Sequence, residues 1–418
     1  MQEWRPTRVS VLSWITYDLA NTIFALGVSG LYFAEWFTKR GTPDIALSLT
    51  IAASMAFVIV LSPWIGARSD QAPRRVGFLV PTTLAAVIAT FFLASVGVTG
   101  SLVIYGIALI GFNLGGVVYD SLLPDVSTEE NRGRISGWGV GIGYVGSIIA
   151  VAAGGLLLDS GGYPAVFRAI AVLFLIFSLP AFLFIRERPR PVYTGQPTRF
   201  VASIAHLAES WRRAHSYRGV VRFLVGRFLY TDAINTLIGG FLTIFVINEL
   251  GFSDGEVRAL LGLAISTAIV GGIVAGRLTD MFGPRRVLNG ALYVWIGAMT
   301  GGIVAATSSL DALAWVVGGA GGLALGATWA ADRVYMARIS PPRLLGEFYG
   351  LYATVGRFAT LLGPLAWGVI VDVLHLPRTA AMGALIVFIV AGRVILSKVD
   401  DSPRSWEEVD LLPATEAD

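Results

Sequence analysis

The chain has 418 residues, of which 55% are hydrophobic and 14% are charged, and its mean hydropathy is +0.70. A soluble domain usually carries about 25% charged residues, so this composition excludes an ordinary soluble protein and indicates an integral membrane protein. The net charge of +3 comes from basic residues spread over short loops, a distribution that does not favour nucleic-acid binding. The absence of cysteine excludes thiol chemistry.

Apolar stretches long enough to cross a bilayer, about 20 residues each, recur along the whole chain with short polar breaks. The alternating pattern of a membrane β-barrel is absent, so the pattern predicts an all-α membrane protein. We predict twelve transmembrane helices, at residues 11–38, 44–67, 76–97, 101–122, 135–158, 163–185, 218–250, 256–279, 286–307, 311–333, 346–373 and 378–398.

The longest polar interruption divides the helices six and six. We therefore expect an N-terminal bundle at 1–185, a cytoplasmic linker at 186–217, a C-terminal bundle at 218–398 and an acidic cytoplasmic tail at 399–418. Within the linker, Phe200, Ile204, Leu207 and Trp211 have the spacing of an amphipathic surface helix, although a solvated linker helix without function fits equally well. Basic residues concentrate in loops on one side, which predicts cytoplasmic termini in a cell (inner) membrane.

The two halves of the sequence repeat each other, as expected for transporters built from two related bundles. Asp18, Asn21 and Glu35 recur 214 residues later as Asp232, Asn235 and Glu249. GARSDQAPRR (66–75) recurs as GRLTDMFGPRR (276–286), and GRISG (133–137) as GEFYG (346–350). Glu35 and Glu249 mark the outer ends of their spans, where we expect surface or outer-gate residues.

The duplicated loop of glycine, three residues, aspartate and paired arginines resembles the signature loop of the major facilitator superfamily. The resemblance implies two pseudo-symmetric six-helix bundles around a central cavity that opens alternately to each side. The charges near the cytoplasmic helix ends can pair and hold one state closed; ordinary loop charge is the alternative. Our gating candidates are Asp70, Arg74, Arg75, Asp120, Arg134, Asp280, Arg285, Arg286 and Asp332.

Four segments resemble the vacuole effluxer branch of that superfamily more closely: YDLANTIFA in the first span, and residues 118–146, 223–236 and 346–368. Fungal members of this branch, related to autophagy, export amino acids from the vacuole, and it has many bacterial members. The resemblance therefore implies transport of an amino acid. The chain departs from the branch at GATWAADRVYMARISP (326–341), where a glutamine and a serine-arginine pattern are common.

Charged residues within the spans carry the chemistry. A charge at the bilayer centre costs about 2.5–3.5 kcal/mol, so such residues face a bundle interior or a watery cavity and pair there. Asp18 and Asn21 share a helical face, as do Asp232 and Asn235. We hypothesise that the two faces meet across the cavity and bind substrate or a proton, with Arg227 and Arg357 as counter-charges.

Two other roles compete for these carboxylates. They can tie the two halves together at one gate, or cap a helix, which is disfavoured because neither begins one. Aromatic residues in the cavity-lining spans can also contact substrate. The full candidate set for the substrate or proton site is Asp18, Asn21, Asp232, Asn235, Arg227, Arg357, Tyr17, Tyr144 and Trp329. Glycines 137, 139, 141, 143 and 146 in span five predict close helix packing.

No nucleophile and base pair, phosphate-binding loop, metal constellation or ATP-binding domain is evident, so we expect a protein that is not an enzyme and needs no cofactor or metal. The sequence favours secondary transport of a small polar metabolite, with an amino acid as the first guess and a proton or sodium as the coupling ion. We expect a monomer in the lipid bilayer that binds no nucleic acid. Alternatives are a sugar or drug transporter, a non-transporting receptor or sensor, and a lipid exporter.

Overall fold

The computed structural model describes residues 6–128, 132–188, 208–209, 211–308, 310–341, 345–400 and 402. Phe200, Ile204 and Leu207 of the predicted surface helix, and nearly all of the predicted tail, lie outside these residues. The part of the chain that the structure describes is helical, without strands. It divides into two compact units, Met1–Ile204 with Ile238–Ile244, and Ala205–Leu237 with Phe245–Asp418.

Unit 1 contains the first six helices. Gly162 interrupts the long helix Arg132–Phe184 with a left-handed φ of 64°, which glycine adopts without steric cost. We call the part before this glycine α5 and the part after it α6. The preceding helices are α1 (Arg8–Thr38), α2 (Asp44–Gln71), α3 (Val76–Phe92) and α4 (Val98–Ser121).

Unit 2 contains the other six, except for the stretch Ile238–Ile244 of the seventh, which belongs to unit 1. Helix α11 is broken into Leu345–Phe358 and Leu362–Gly368, and a π-helical turn, Val369–Val373, follows the second piece. The other helices are α7 (Val220–Leu250), α8 (Asp254–Phe282), α9 (Pro284–Ser308), α10 (Asp311–Ile339) and α12 (Arg378–Leu396).

The structure confirms the predicted all-α membrane architecture. Ten helices of the described chain are long and apolar enough to span a membrane, one of them runs through Gly162 into two spans, and Val76–Phe92 is a shorter apolar helix. Some predicted boundaries are wrong. The third span ends at Phe92 rather than at residue 97, and the tenth runs to Ile339 rather than to residue 333. The eleventh, predicted as continuous, breaks between Phe358 and Leu362.

Helices α1 and α7 both widen into a π-helical segment after their repeated polar residues, at Ala25–Tyr32 and Leu237–Phe241. Such segments are rare and frequently lie at functional sites. Gly240 in the second segment has φ 121°, a conformation that other residues rarely adopt. The stretch Ile238–Ile244 belongs to unit 1, where the Thr243 hydroxyl donates to the Gly30 carbonyl at 2.7 Å.

Close packing of α1 on α5 organises unit 1. A Cβ atom on Gly139 would lie 2.9 Å from the Trp14 ring, and one on Gly146 would clash with the Leu19 carbonyl. The predicted role in close helix packing is therefore confirmed for Gly139 and Gly146, whereas a Cβ atom on Gly141 would meet no atom within 4 Å. Beside this contact, the Trp14 and Tyr17 rings stack on Tyr119 with centroid distances of 4.6 and 4.9 Å, which builds a rigid aromatic wall.

Candidate functional site

Asp18 lies in the helical run of α1, with its side chain half-buried against α5. A Cβ atom on Gly143 would lie 3.1 Å from the Asp18 Oδ2 atom, and one on Gly139 would lie 3.5 Å from it. Because glycine has no side chain at either position, the Asp18 carboxylate can lie directly against the α5 backbone. Tyr119 on α4 also interacts with Asp18.

Asn21 lies one turn after Asp18 on α1 and is also half-buried. Its Oδ1 atom is enclosed by protein and accepts no hydrogen bond from the described residues. Enclosed polar atoms normally have a partner, because leaving one unsatisfied costs about 1–3 kcal/mol. The Asn21 oxygen is therefore an acceptor whose hydrogen-bonding capacity the described residues leave unused.

Tyr17 belongs to the packed wall of unit 1. It is 1% exposed, and its hydroxyl shares a 2.6 Å hydrogen bond with the Thr83 hydroxyl. Trp14 and Tyr119 brace the same wall by exchanging two hydrogen bonds of 3.2 Å, each from a side chain to the other residue's carbonyl. This environment favours packing over the predicted contact with substrate.

Asp232 occupies the same position in the second half but has a different environment. Its carboxylate is fully buried, and Oδ2 accepts a 2.8 Å hydrogen bond from the Gly363 amide at the beginning of the second piece of α11. Its Oδ1 atom is enclosed and has no hydrogen-bond partner among the described residues. Asp232 thus caps a neighbouring helix, a role that the sequence argument disfavoured because it considered only the residue's own helix.

Asn235 serves the other side of the same break. Its Nδ2 atom donates to the Ala359 carbonyl at 2.8 Å and, more weakly, to the Gly356 carbonyl at 3.4 Å. These carbonyls end the first piece of α11. The Asp232 and Asn235 pair therefore satisfies amides and carbonyls that the interruption of α11 would otherwise leave without partners inside the membrane.

A buried ion pair lies one and a half turns before Asp232 on α7. The Arg227 Nε atom donates to the Asp332 Oδ2 atom at 3.0 Å, and both side chains are at most 5% exposed. The hydroxyls of Tyr230 and Tyr352 donate to the same carboxylate at 3.3 and 2.7 Å. The Arg227 guanidinium also lies 3.6 Å from the centroid of the Tyr352 ring.

This cluster corrects two predicted pairings. Arg227 neutralises Asp332 rather than Asp232. Asp332, which we expected among the gating charges beside Arg74, Arg75 and Arg134, is instead enclosed within unit 2. The remaining site candidates, Arg357, Tyr144 and Trp329, are half-buried on α11, α5 and α10 and stay candidates.

The loop between α2 and α3 is fixed within unit 1. The Glu187 carboxylate accepts from the amides of Arg75 and Val76 at 2.6 and 3.1 Å and so caps α3. The Arg75 guanidinium pairs with Asp125 at 3.3 Å, and the Arg188 amide donates to the other oxygen of that carboxylate at 3.1 Å.

Sequence reasoning missed Asp125, Glu187 and Arg188. Their only signal was charge placed directly after spans four and six, next to the loop arginines. Among the predicted gating residues, Asp120, Asp280 and Arg286 are exposed, and Arg285 donates to the Ser397 carbonyl at 2.7 Å. Arg74 lies 4.0 Å from Glu187. The side chains of Asp70 and Arg134 lie outside the described residues.

Of the two roles expected for Glu35, surface residue or outer-gate residue, the surface position is wrong. Its side chain is fully buried, accepts a 2.9 Å hydrogen bond from the Tyr163 hydroxyl and lies 3.4 Å from the Lys39 ammonium group. Its repeat partner Glu249 is half-buried and 3.7 Å from Arg378. The close packing of α1 on the start of α6 explains the burial of Glu35.

Comparison with known proteins identifies the family to which this architecture belongs. A family model described as "Vacuole effluxer Atg22 like" matches residues 45–408. The chain is 26% identical over 412 residues to an MFS-type transporter, YxiO, of Bacillus subtilis, covering 93% of this chain and 94% of that one. It is 27% identical over 268 residues to autophagy-related protein 22-1 of Neosartorya fischeri, covering 57% of this chain and 43% of that one.

The fold is also that of solved transporters. The crystal structure of a D-xylose-proton symporter superimposes with a TM-score of 0.71, covering 95% of this chain and 99% of that chain at 13% identity. At this identity the likeness concerns the fold alone. With the family model matching most of its length, the chain belongs to the vacuole effluxer Atg22-like family of major facilitator superfamily transporters.

Proposed function

We propose that the chain is a secondary transporter that moves a small polar metabolite by alternating access, with Asp18 and Asn21 as polar contacts for that metabolite. One observation carries the proposal. The first copy of the repeated pair is half-buried, and its Asn21 oxygen has no donor among the described residues. In the second copy, Asp232 Oδ2 and Asn235 hold the break in α11, and only Oδ1 of the fully buried Asp232 lacks a partner there.

The chemistry of this face suits a molecule with hydrogen-bond donors. The Asp18 carboxylate and the Asn21 Oδ1 atom both accept, and the carboxylate adds a negative charge. An amino acid is the first substrate to test, because the family is described as vacuole effluxers and its fungal members resemble this chain. A sugar is the leading alternative, since the same fold serves a D-xylose-proton symporter.

We further propose that a proton is the coupling ion and that Asp18 carries it. A carboxylate in a spanning helix becomes neutral when it binds a proton. The free-energy cost of holding it inside the membrane is lower in the neutral form than in the charged form. Sodium coupling is the competing outcome. The two are separated by driving uptake with a pH gradient or with a sodium gradient alone.

The test is uptake into proteoliposomes that contain the purified protein. A panel of radiolabelled amino acids, sugars and nucleosides is screened, and any accumulated solute is then followed in the variants Asp18→Asn and Asn21→Ala. Asp159→Asn is the matched control, because this carboxylate is exposed near the end of α5. We expect both α1 variants to lose uptake and the control to retain it.

The site assignment would be wrong if Asp18→Asn transported at the wild-type rate with the same pH dependence. If a solute bound but none were exchanged, the receptor alternative would be favoured. The proposed orientation, with both termini in the cytoplasm of a cell membrane, can be tested separately. Because the chain has no cysteine, an impermeant maleimide should label Thr42→Cys but not Ser402→Cys in intact cells.

A further inference from the structure

The outer surface of unit 2 carries an arginine whose setting the transport site does not explain. Arg393 lies on α12, three residues before the helix ends at Leu396, and its guanidinium lies 4.2 Å from the centroid of the Tyr293 ring on α9. Its Nε–H group is enclosed and donates to no acceptor among the described residues. In the part of the chain that the structure describes, no carboxylate pairs with it.

The neighbours of Arg393 show that it lies at the lipid-facing surface. Tyr293 is 54% exposed, and Val294, Val390 and Val394 on the same two helices are also exposed. The opposite face of α12, including Ile389 and Leu396, is buried in the unit. Arg393 therefore lies in the groove where α9 and α12 pack, at the border between protein interior and lipid.

The charge around this groove points to the headgroup region. Three residues of helix correspond to about 5 Å, so the Arg393 backbone lies about that far from the end of α12, and Tyr293, which the guanidinium overlies, lies about 13 Å from the start of α9. Other cations mark the same end of this groove. Arg285 and Arg286 begin α9, and Lys398 follows α12. Basic clusters between helices at a membrane surface attract anionic lipids.

We propose that Arg393 and Tyr293 form a binding site for the phosphate of an anionic phospholipid, in the leaflet where α9 begins and α12 ends. The guanidinium, which lies over the Tyr293 ring, presents its terminal N–H groups to a phosphate, which accepts two parallel hydrogen bonds. The exposed valines contact the acyl chains. Arg285, Arg286 and Lys398 supply the positive potential that disfavours a neutral lipid.

Native mass spectrometry of the purified protein tests the site. The full-length chain is mixed with phosphatidylglycerol, cardiolipin or phosphatidylcholine in detergent, and retained lipid is counted. We expect retention of the anionic lipids at least about fivefold above phosphatidylcholine, and a comparable loss in Arg393→Gln. Tyr293→Phe should retain the lipid and Tyr293→Leu should weaken it, because stacking needs the ring but not the hydroxyl.

Arg168→Gln is the matched control, since Arg168 is an exposed arginine 5.6 Å from the Phe91 ring on unit 1. It should retain the lipid as the wild type does. Equal retention by Arg393→Gln and wild type, or by the charged and neutral lipids, would overturn the proposal. Displacement of the lipid by glycerol 3-phosphate would instead indicate a site for soluble phosphates. Arg393→Lys, which keeps the charge, gives an intermediate loss and guards against misfolding of the glutamine variant.

Discussion

The two copies of the repeated aspartate and asparagine have the same spacing on α1 and α7 but different partners. In unit 2, Asp232 binds the amide of Gly363 and Asn235 binds the carbonyl of Ala359, so both hold the broken helix α11. In unit 1, Asp18 lies on the glycine face of an α5 that runs without a break through Gly139 and Gly143.

A second repeated carboxylate shows the same difference. Asp332 is buried in unit 2 and neutralised by Arg227, whereas Asp120, in the corresponding part of unit 1, is exposed. The position of Arg227 is taken by Ser13 in the first half. Duplication therefore supplied the same polar residues twice. In unit 2 the copies Asp232, Asn235 and Asp332 hold the internal structure. In unit 1 the copies Asp18 and Asn21 are half-buried and Asp120 is exposed, and we propose that the first two contact a ligand.

The largest expected effect is the difference in stability between variants of the two carboxylates Asp332 and Asp120. Asp332→Asn leaves the buried Arg227 charge uncompensated, which should lower the free energy of unfolding by about 3–5 kcal/mol. Asp120→Asn, at an exposed position, should change it by no more than about 0.5 kcal/mol. Thermal and denaturant unfolding in detergent, followed by tryptophan fluorescence, measures both. Equal losses would show that the halves do not differ in this respect.

The cap on α11 gives the next effect. Asp232→Ala removes the acceptor for the Gly363 amide and should cost about 1–2 kcal/mol, as the loss of a helix cap does. Hydrogen exchange at residues 361–363 should accelerate in this variant. Asp18→Ala should leave exchange and stability nearly unchanged. Unaltered exchange at Gly363 in Asp232→Ala would contradict the capping role.

The two asparagines provide a smaller and cleaner contrast. Asn235→Ala removes the hydrogen bond to Ala359 and should cost about 1 kcal/mol. Asn21→Ala removes an oxygen that has no donor, so stability should be unchanged or slightly higher, while uptake of the transported solute falls. A matched loss of stability in both variants would mean that Asn21 is also structural.

The smallest effect concerns the surface beneath Asp18. Gly143→Ala would place a Cβ atom 3.1 Å from the Asp18 Oδ2 atom and 3.0 Å from the Thr22 hydroxyl. The displaced carboxylate should weaken apparent substrate affinity by about 1 kcal/mol, or roughly fivefold. Gly141→Ala, which meets no atom within 4 Å, is the matched control. Identical apparent KM values for the two variants would show that Asp18 does not contribute to substrate binding.

Much of the architecture followed from the sequence, because spans of a membrane protein are set by local hydrophobicity. The aspartate and asparagine pair was also visible in the sequence, because its two copies recur at a fixed offset. Its partners were not, since the Asp232 carboxylate and the Gly363 amide from which it accepts lie 131 positions apart. The break in α11 had a local signal in Gly363 and Pro364, a dipeptide typical of turns that also suits the first turn of a helix. Once that break is known, the role of Asp232 follows.

The central claim is that the first copy of the pair serves transport and the second serves the fold. It is tested most directly by solute counterflow in proteoliposomes, with Asp18→Asn and Asp232→Asn compared per folded molecule. Asparagine at position 232 can still accept from Gly363, so this variant should fold and keep the wild-type rate. Asp18→Asn should lose at least about tenfold. Wild-type counterflow in Asp18→Asn together with its loss in Asp232→Asn would contradict the division of roles.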